Sequence, residues 1–159
     1  RLTMYIRILF IFLLAIVIGL SGLNTPVNAA GSSDDEPSKS DVDFASGKSA
    51  LKAGNYKLAI RNFQRVIETN PNNADALNYL GYSYRKMGNF KVSLPYYKKA
   101  LAINPGHRGA REYLGELYLQ TGNLKAAKAQ LEKLDSLCTF GCEEFDDLKK
   151  AITTYETKK

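Results

Sequence analysis

The sequence predicts an all-α protein of tandem helix-turn-helix units closed by one further helix. Three observations predict it. Gly, six residues and then Gly-Asn with an apolar residue occur three times, as Gly47 to Gly54-Asn55-Tyr56, Gly81 to Gly88-Asn89-Phe90 and Gly115 to Gly122-Asn123-Leu124, a spacing of 34 residues. Asn-Pro keeps the same interval, at Asn70-Pro71 and Asn104-Pro105. Between these marks the apolar residues fall at helical steps, with no strand-like alternation. A fixed period in this range belongs to one supersecondary unit stacked on copies of itself, each burying the apolar face its neighbour leaves open. The working part of such a chain is a surface rather than a catalytic pocket.

The second copy shows how each element arises. Its first stretch runs from Ala74 to Met87, with Leu77, Leu80, Tyr84 and Met87 on one apolar face. Gly88 is placed to end that helix, because glycine adopts the left-handed conformation cheaply, and Asn89 is placed to cap the next. The second stretch runs from Phe90 to Ile103, with Leu94, Tyr97, Ala100 and Leu101 facing inward. Asn104-Pro105 closes it, since the residue before proline is pushed out of helical geometry. Pro95 lies several residues inside this stretch, where it predicts a late helix start or a kink.

These residues resemble the tetratricopeptide repeat. The copies start at Ser40, Ala74 and Arg108 and span 40–73, 74–107 and 108–137. The family's small residue at position 8 is matched by Gly47, Gly81 and Gly115, and its position 20 by Ala59, Ser93 and Ala127. Position 24 holds Phe63, Tyr97 and Leu131; position 27 holds Val66, Ala100 and Leu134. Asp43 departs from the large residue usual at position 4 of the first copy, and Thr139 replaces the closing proline of the third. The resemblance implies a short right-handed superhelix whose first helices line a groove for a segment of another protein.

The groove positions implied by the family include Phe44, Lys48, Leu51 and Lys52 in the first copy, Asn78, Tyr82, Arg85 and Lys86 in the second, and Glu112, Glu116 and Leu119 in the third. Lys48, Lys52, Arg85 and Lys86 make the first two copies basic, while Glu112 and Glu116 make the third acidic. The partner segment is therefore expected to be acidic toward copies one and two, with Phe44 and Tyr82 as apolar anchors. Lys48, Lys52, Tyr82, Arg85 and Lys86 are expected on the solvent side. The chaperone-tail carboxylate clamp known in the family is not matched, because Phe44, Lys48, Gly109 and Tyr113 stand at its positions.

The ends have their own character. Ile8 to Leu20 is apolar apart from Gly19, follows Arg7 and precedes Val27-Asn28-Ala29. That pattern is a secretory signal peptide cut after Ala29, with Met4 the expected start of translation. The other reading is a retained anchor, but thirteen residues reach only about 20 Å of a layer about 30 Å thick. A periplasmic protein is the expectation. Residues 30–39 read as a disordered tether, as Gly31 to Ser40 contains no apolar residue to offset ordering. After Leu137 come Cys138-Thr139-Phe140-Gly141-Cys142 and a segment that places Phe145, Leu148, Ile152 and Tyr155 on one helical face. Residues 138–159 therefore read as a cysteine-bearing turn and a capping helix, similar to the tails of small exported bacterial proteins of this family.

Composition excludes several function classes. The chain carries 22 basic and 16 acidic residues, and loss of the leader removes Arg1 and Arg7. The remaining excess is scattered, unlike the basic stripe of a nucleic-acid binder. His107, the only histidine, reads as an exposed residue of an inter-repeat turn with no nucleophile beside it. No catalytic constellation, cofactor or metal site is expected, so an envelope adaptor is the leading reading. Cys138 and Cys142 read as a structural disulfide of an exported chain, and a thiol-redox or soft-metal carrier using the same pair is the alternative. Self-association through stacked grooves is a third reading.

Overall fold

The computed structural model describes residues 37–158 as helices and the turns between them. The seven helices are α1 (Lys39–Lys52), α2 (Tyr56–Thr69), α3 (Ala74–Lys86), α4 (Phe90–Ile103), α5 (Arg108–Gln120), α6 (Leu124–Leu137) and α7 (Glu143–Thr157). They pair as α1·α2, α3·α4 and α5·α6, each pair packs on the next, and α7 packs on α5 and α6. The leader and residues 30–36 of the tether lie outside the described residues. Among the described residues no helix is long and apolar enough to cross a membrane.

The turns follow from the repeated Gly-Asn. Gly54, Gly88 and Gly122 take φ of +69°, +78° and +79°, which ends α1, α3 and α5 in the left-handed region that a side chain would strain. Asn55 and Asn123 then accept the first free amides, from Leu58 at 3.1 Å and Ala126 at 3.0 Å. Asn89 makes no such side-chain bond, contrary to expectation, and nothing in the structure explains the difference. Chain entry is fixed earlier than the sequence predicts. Ser38 accepts from the Asp41 amide and donates its own amide to the Asp41 carboxylate, so Lys39 and Ser40 are helical rather than tether.

Pro95 produces no late start, since α4 runs unbroken from Phe90 to Ile103. The proline is exposed, so the acceptor left unpaired by its missing N–H is on the wet side, where water replaces the lost bond. Met87 is also corrected. It is 37% exposed and forms the C-cap of α3 instead of joining the apolar face.

Glycine at position 8 has a packing reason. A Cβ on Gly47 would stand 2.7 Å from the Phe63 ring, and one on Gly81 would stand 2.7 Å from the Tyr97 ring. Each repeat thus presses an aromatic ring of its second helix onto bare backbone of its first. The third repeat does this differently. A Cβ on Gly115 would meet Leu148 of α7 at 2.5 Å, while Leu131, the position-24 residue of its own repeat, is only partly buried. The capping helix supplies the missing knob, and Leu148 and Ile152 are buried at 0% and 4% exposure.

Asp43, the departure at position 4, forms an ion pair instead of a hydrophobic contact. Arg65 of α2 donates to it at 2.9 and 2.7 Å, and the same guanidinium hydrogen-bonds Asn62. This pairing holds the Asp43 carboxyl below the usual carboxylate range. At the other end Cys138 and Cys142 form a disulfide across the turn between α6 and α7. Loop closure over so few residues favours the folded turn modestly. A Cys138→Ser/Cys142→Ser variant is expected to lose about 1–3 kcal/mol or less of stability, read by urea denaturation, with α7 fraying first in hydrogen exchange.

Candidate functional site

The first helices α1, α3 and α5 share one face, and the residues expected to line it divide into three groups. Lys48, Lys52 and Lys86 are exposed, and Phe44, Leu51, Tyr82 and Glu116 are half-buried. Asn78, Arg85, Glu112 and Leu119 are buried. Of the five residues expected on the solvent side, Arg85 is in this last group.

Arg85 is the main correction. It is 5% exposed and pairs with Glu116 at 2.5 Å. Its Nε donates to the Tyr97 hydroxyl at 3.3 Å and its Nη1 to Gln120 at 3.4 Å. The guanidinium also lies 5.4 Å from the Tyr82 ring centre and 5.6 Å from that of Tyr113. Arg85 therefore ties α3 to α4 and α5 and is not a free groove cation. The family resemblance places it on the groove side, but its partners on α4 and α5 bury it. Leu119 is taken the same way, into the cluster with Leu148 and Ile152. Phe44 leans edge-on against Phe63 at 5.6 Å and approaches Tyr79 at 5.9 Å, so it belongs to the core of the first repeat more than to a binding surface.

Lys86, Glu116 and the edges of Arg85 and Leu119 line a cleft of about 690 Å³ against α7, and a smaller cleft of about 280 Å³ is lined by Lys48, Leu51, Lys52, Tyr79, Tyr82 and Tyr113. In this lining the Tyr82 ring lies 4.8 Å from the Tyr113 ring and 6.2 Å from Tyr56, with the Lys86 ammonium 5.9 Å from its centre. Two lysines lining a cleft with three tyrosines can hold a carboxylate beside an apolar or aromatic group. Sequence reasoning missed Tyr79 and Tyr113, which occupy position 6 of their repeats. The signal present was that tyrosine recurs there in consecutive copies.

The acidic end is larger than the sequence suggested because α7 adds to it. A second cleft, of about 430 Å³, is lined by Asn78, Tyr79, His107, Arg108, Gly109, Glu112, Tyr113, Glu143, Glu144 and Asp147. Glu112 is only 8% exposed. Burial, followed by the charges of Glu116, Asp147 and Glu144, raises its pKa to about 8, against a smaller opposing pull from Arg85. His107 is not an exposed loop residue. Its Nδ1 accepts the Ala110 amide at 3.3 Å as the cap of α5, and its Nε2 stands 3.1 Å from Asp75 but out of line for a hydrogen bond.

A pH prediction follows from Glu112. Its pKa is about 8 folded against 4.5 for the ordinary side chain, so between these values the folded state holds the extra proton. Stability must then fall as pH rises through that window and level off above about pH 8. Glu112→Gln is expected to remove this slope and to gain on the order of 2 kcal/mol at about pH 8.5. Urea melts at three pH values measure it, and parallel pH profiles for parent and variant would refute the assignment.

The geometry defines a class first: a helical-repeat protein that offers a charge-segregated groove formed by the first helix of each unit. Two family models for the tetratricopeptide repeat match residues 44–106 and 84–137. The chain belongs to the tetratricopeptide repeat family. Similar solved structures share the fold at low identity. The TPR2B domain of yeast Sti1, in a complex with pHsp70, superposes with a TM-score of 0.69 at 14% identity, covering 76% of this chain and 98% of that one. The second TPR domain of human RPAP3, in complex with an HSP70 peptide, gives 0.63 at 20% identity, with 71% and 94% covered. The type III secretion translocator chaperone SycD of Yersinia enterocolitica gives 0.67 at 17% identity, with 74% and 83% covered. No curated protein sequence matched the chain significantly.

Proposed function

We propose that this protein is a non-enzymatic adaptor that docks a segment of another cell-envelope protein in the groove of its three repeats. The observation that carries the reading is the cleft that Lys48 and Lys52 line together with Tyr79, Tyr82 and Tyr113. Such a site suits an extended segment with a carboxylate next to an apolar side chain, the charge steering the encounter and the rings supplying contact area. The complexes of the Sti1 and RPAP3 domains with pHsp70 and an HSP70 peptide support it, in that domains of this fold hold peptide segments. The setting is an expectation from the leader: export, cleavage after Ala29 and a periplasmic location. A disulfide at Cys138 and Cys142 fits that compartment.

The test is comparative capture from a periplasmic extract by the parent and by Lys48→Glu/Lys52→Glu, both exposed positions. Helical content should not change. The charge-reversed variant is expected to bind the captured partner roughly tenfold more weakly, mainly through slower association, with a shallower salt dependence. A folded variant that retains the same partner at the same strength sinks the proposal.

A further inference from the structure

The cleft at the third repeat and cap is not accounted for by a segment that is simply acidic. Its lining holds four carboxylates, Glu112, Glu143, Glu144 and Asp147, against the single guanidinium of Arg108. Arg108 is half exposed and reaches Glu144 only at 3.6 Å, so it leaves the others unneutralised. The inner wall is polar and incomplete. Asn78 is 3% exposed, and its Oδ1 is one of two buried side-chain atoms without a hydrogen-bond partner among the described residues. His107, whose Nε2 faces the Asp75 carboxylate at 3.1 Å, lines the same cleft. Buried acceptors are ordinarily satisfied, and a vacant one in a wall of carboxylates marks a place where a donor belongs. The rings of Tyr79 and Tyr113 complete the lining and offer flat faces beside the acids.

We propose that this cleft is a second subsite of the groove, which receives the guanidinium of an arginine in the docked segment. The arrangement favours arginine over lysine for physical reasons. A planar fork of donors can engage separated carboxylates and an amide oxygen together, and it stacks on tyrosine at small desolvation cost. The proposal rests on the groove being a peptide site and specifies that segment further. It is acidic where it crosses Lys48 and Lys52 and basic where it meets α5 and α7, which fixes the direction in which it lies.

Cation binding here is coupled to protons. Glu112 faces Arg108, Tyr113 and Glu116 of its own helix, Glu143, Glu144 and Asp147 of α7, Tyr79, Tyr82 and Arg85 of α3, and His107 at the start of α5. With its pKa raised to about 8, it must release a proton to serve as a carboxylate partner. Affinity for the arginine should therefore rise with pH up to about 8.

The experiment uses tri-arginine, tri-lysine and tri-glutamate peptides titrated into the 15N-labelled protein and followed by amide shifts. Tri-arginine is expected to shift Gly109, Glu112, Glu144 and Asp147, and tri-glutamate to shift Lys48, Lys52 and Tyr82. Asp147→Asn and Glu144→Gln, both outside the buried core, should each weaken tri-arginine at least about threefold and leave tri-glutamate unchanged. Raising the pH from about 6 to about 9 should strengthen tri-arginine binding in the parent and much less in Glu112→Gln. Silence of the cleft amides, shifts spread evenly over acidic residues such as Glu132 and Asp135, or binding unchanged in Asp147→Asn would each overturn the subsite. Equal affinity for tri-lysine would overturn its assignment to arginine. If tri-arginine binds in the cleft while tri-glutamate finds no site at Lys48 and Lys52, the groove reading fails and the cation site stands. The reverse pattern retains the groove and removes the subsite.

Discussion

Replacing Arg85 with alanine is expected to cost about 3–5 kcal/mol of stability, the range for breaking a buried charged pair. The residue is 5% exposed and serves Glu116, the Tyr97 hydroxyl and Gln120 at once. Its removal strands the Glu116 carboxylate near Glu112, whose pKa Glu116 already raises. Charge reversal to Glu should be worse, with a cooperative fold no longer stable at neutral pH. Replacement by Lys keeps the charge but loses the fork, so it should fall between parent and alanine. Denaturant melts monitored by circular dichroism measure the series. A loss below about 1 kcal/mol for alanine, the level of a solvent-exposed pair, would mean that Arg85 is a free groove cation after all. The practical consequence concerns binding studies: an Arg85 variant that fails to bind reports misfolding, whereas Lys48 and Lys52 variants report recognition.

Leu148→Ala should cost a further large amount when made alone, about 2–5 kcal/mol. Leu148 is fully buried and fills the space above Gly115 where the other two repeats use Phe63 and Tyr97. Truncating it leaves a cavity between α5 and α7, and α7 should lose protection in hydrogen exchange before the repeats do. Gly115 provides an internal control. Gly115→Ala alone places a methyl group 2.5 Å from Leu148 and should destabilise. In the Leu148→Ala background the same change meets open space and is neutral or favourable, since alanine suits a helix better than glycine. A double-mutant cycle measures this coupling, and additive effects would show that the two residues do not share the contact.

Loss of the cap would also dismantle the acidic cleft, because Glu143, Glu144 and Asp147 come from α7. Stability and charge pattern are thus linked at this end of the molecule. The exposed Lys48 and Lys52 of α1 have no such link. Variants there can separate recognition from folding.

The sequence alone determined the repeat, its period, the helices and their ends. Those features depend on local physics: a left-handed glycine at each Gly88-type turn, a capping Asn, an Asn-Pro stop and apolar residues at helical spacing. The approximate span of α4, Phe90 to Ile103, was legible, although Pro95 pointed to a late start that does not occur and Asn89 to a cap bond that does not form; Cys138 and Cys142 were legible as a pair from the expectation of export. Only the tertiary structure decided which groove residues face water. The family resemblance assigns Arg85, Glu112 and Leu119 to the same side as Lys48, but it cannot show that α4 and α5 bury Arg85 or that α7 packs beside Glu112 and Leu119. It likewise could not reveal that Leu148, rather than Leu131, would fill the position-24 niche of the third repeat. Nor could it place α7 carboxylates beside Asn78 across a distance of some seventy residues of chain. Local sequence fixes dihedrals and caps, whereas burial and charge neighbourhoods depend on residues far apart in the chain, and these became visible only when the helices were packed.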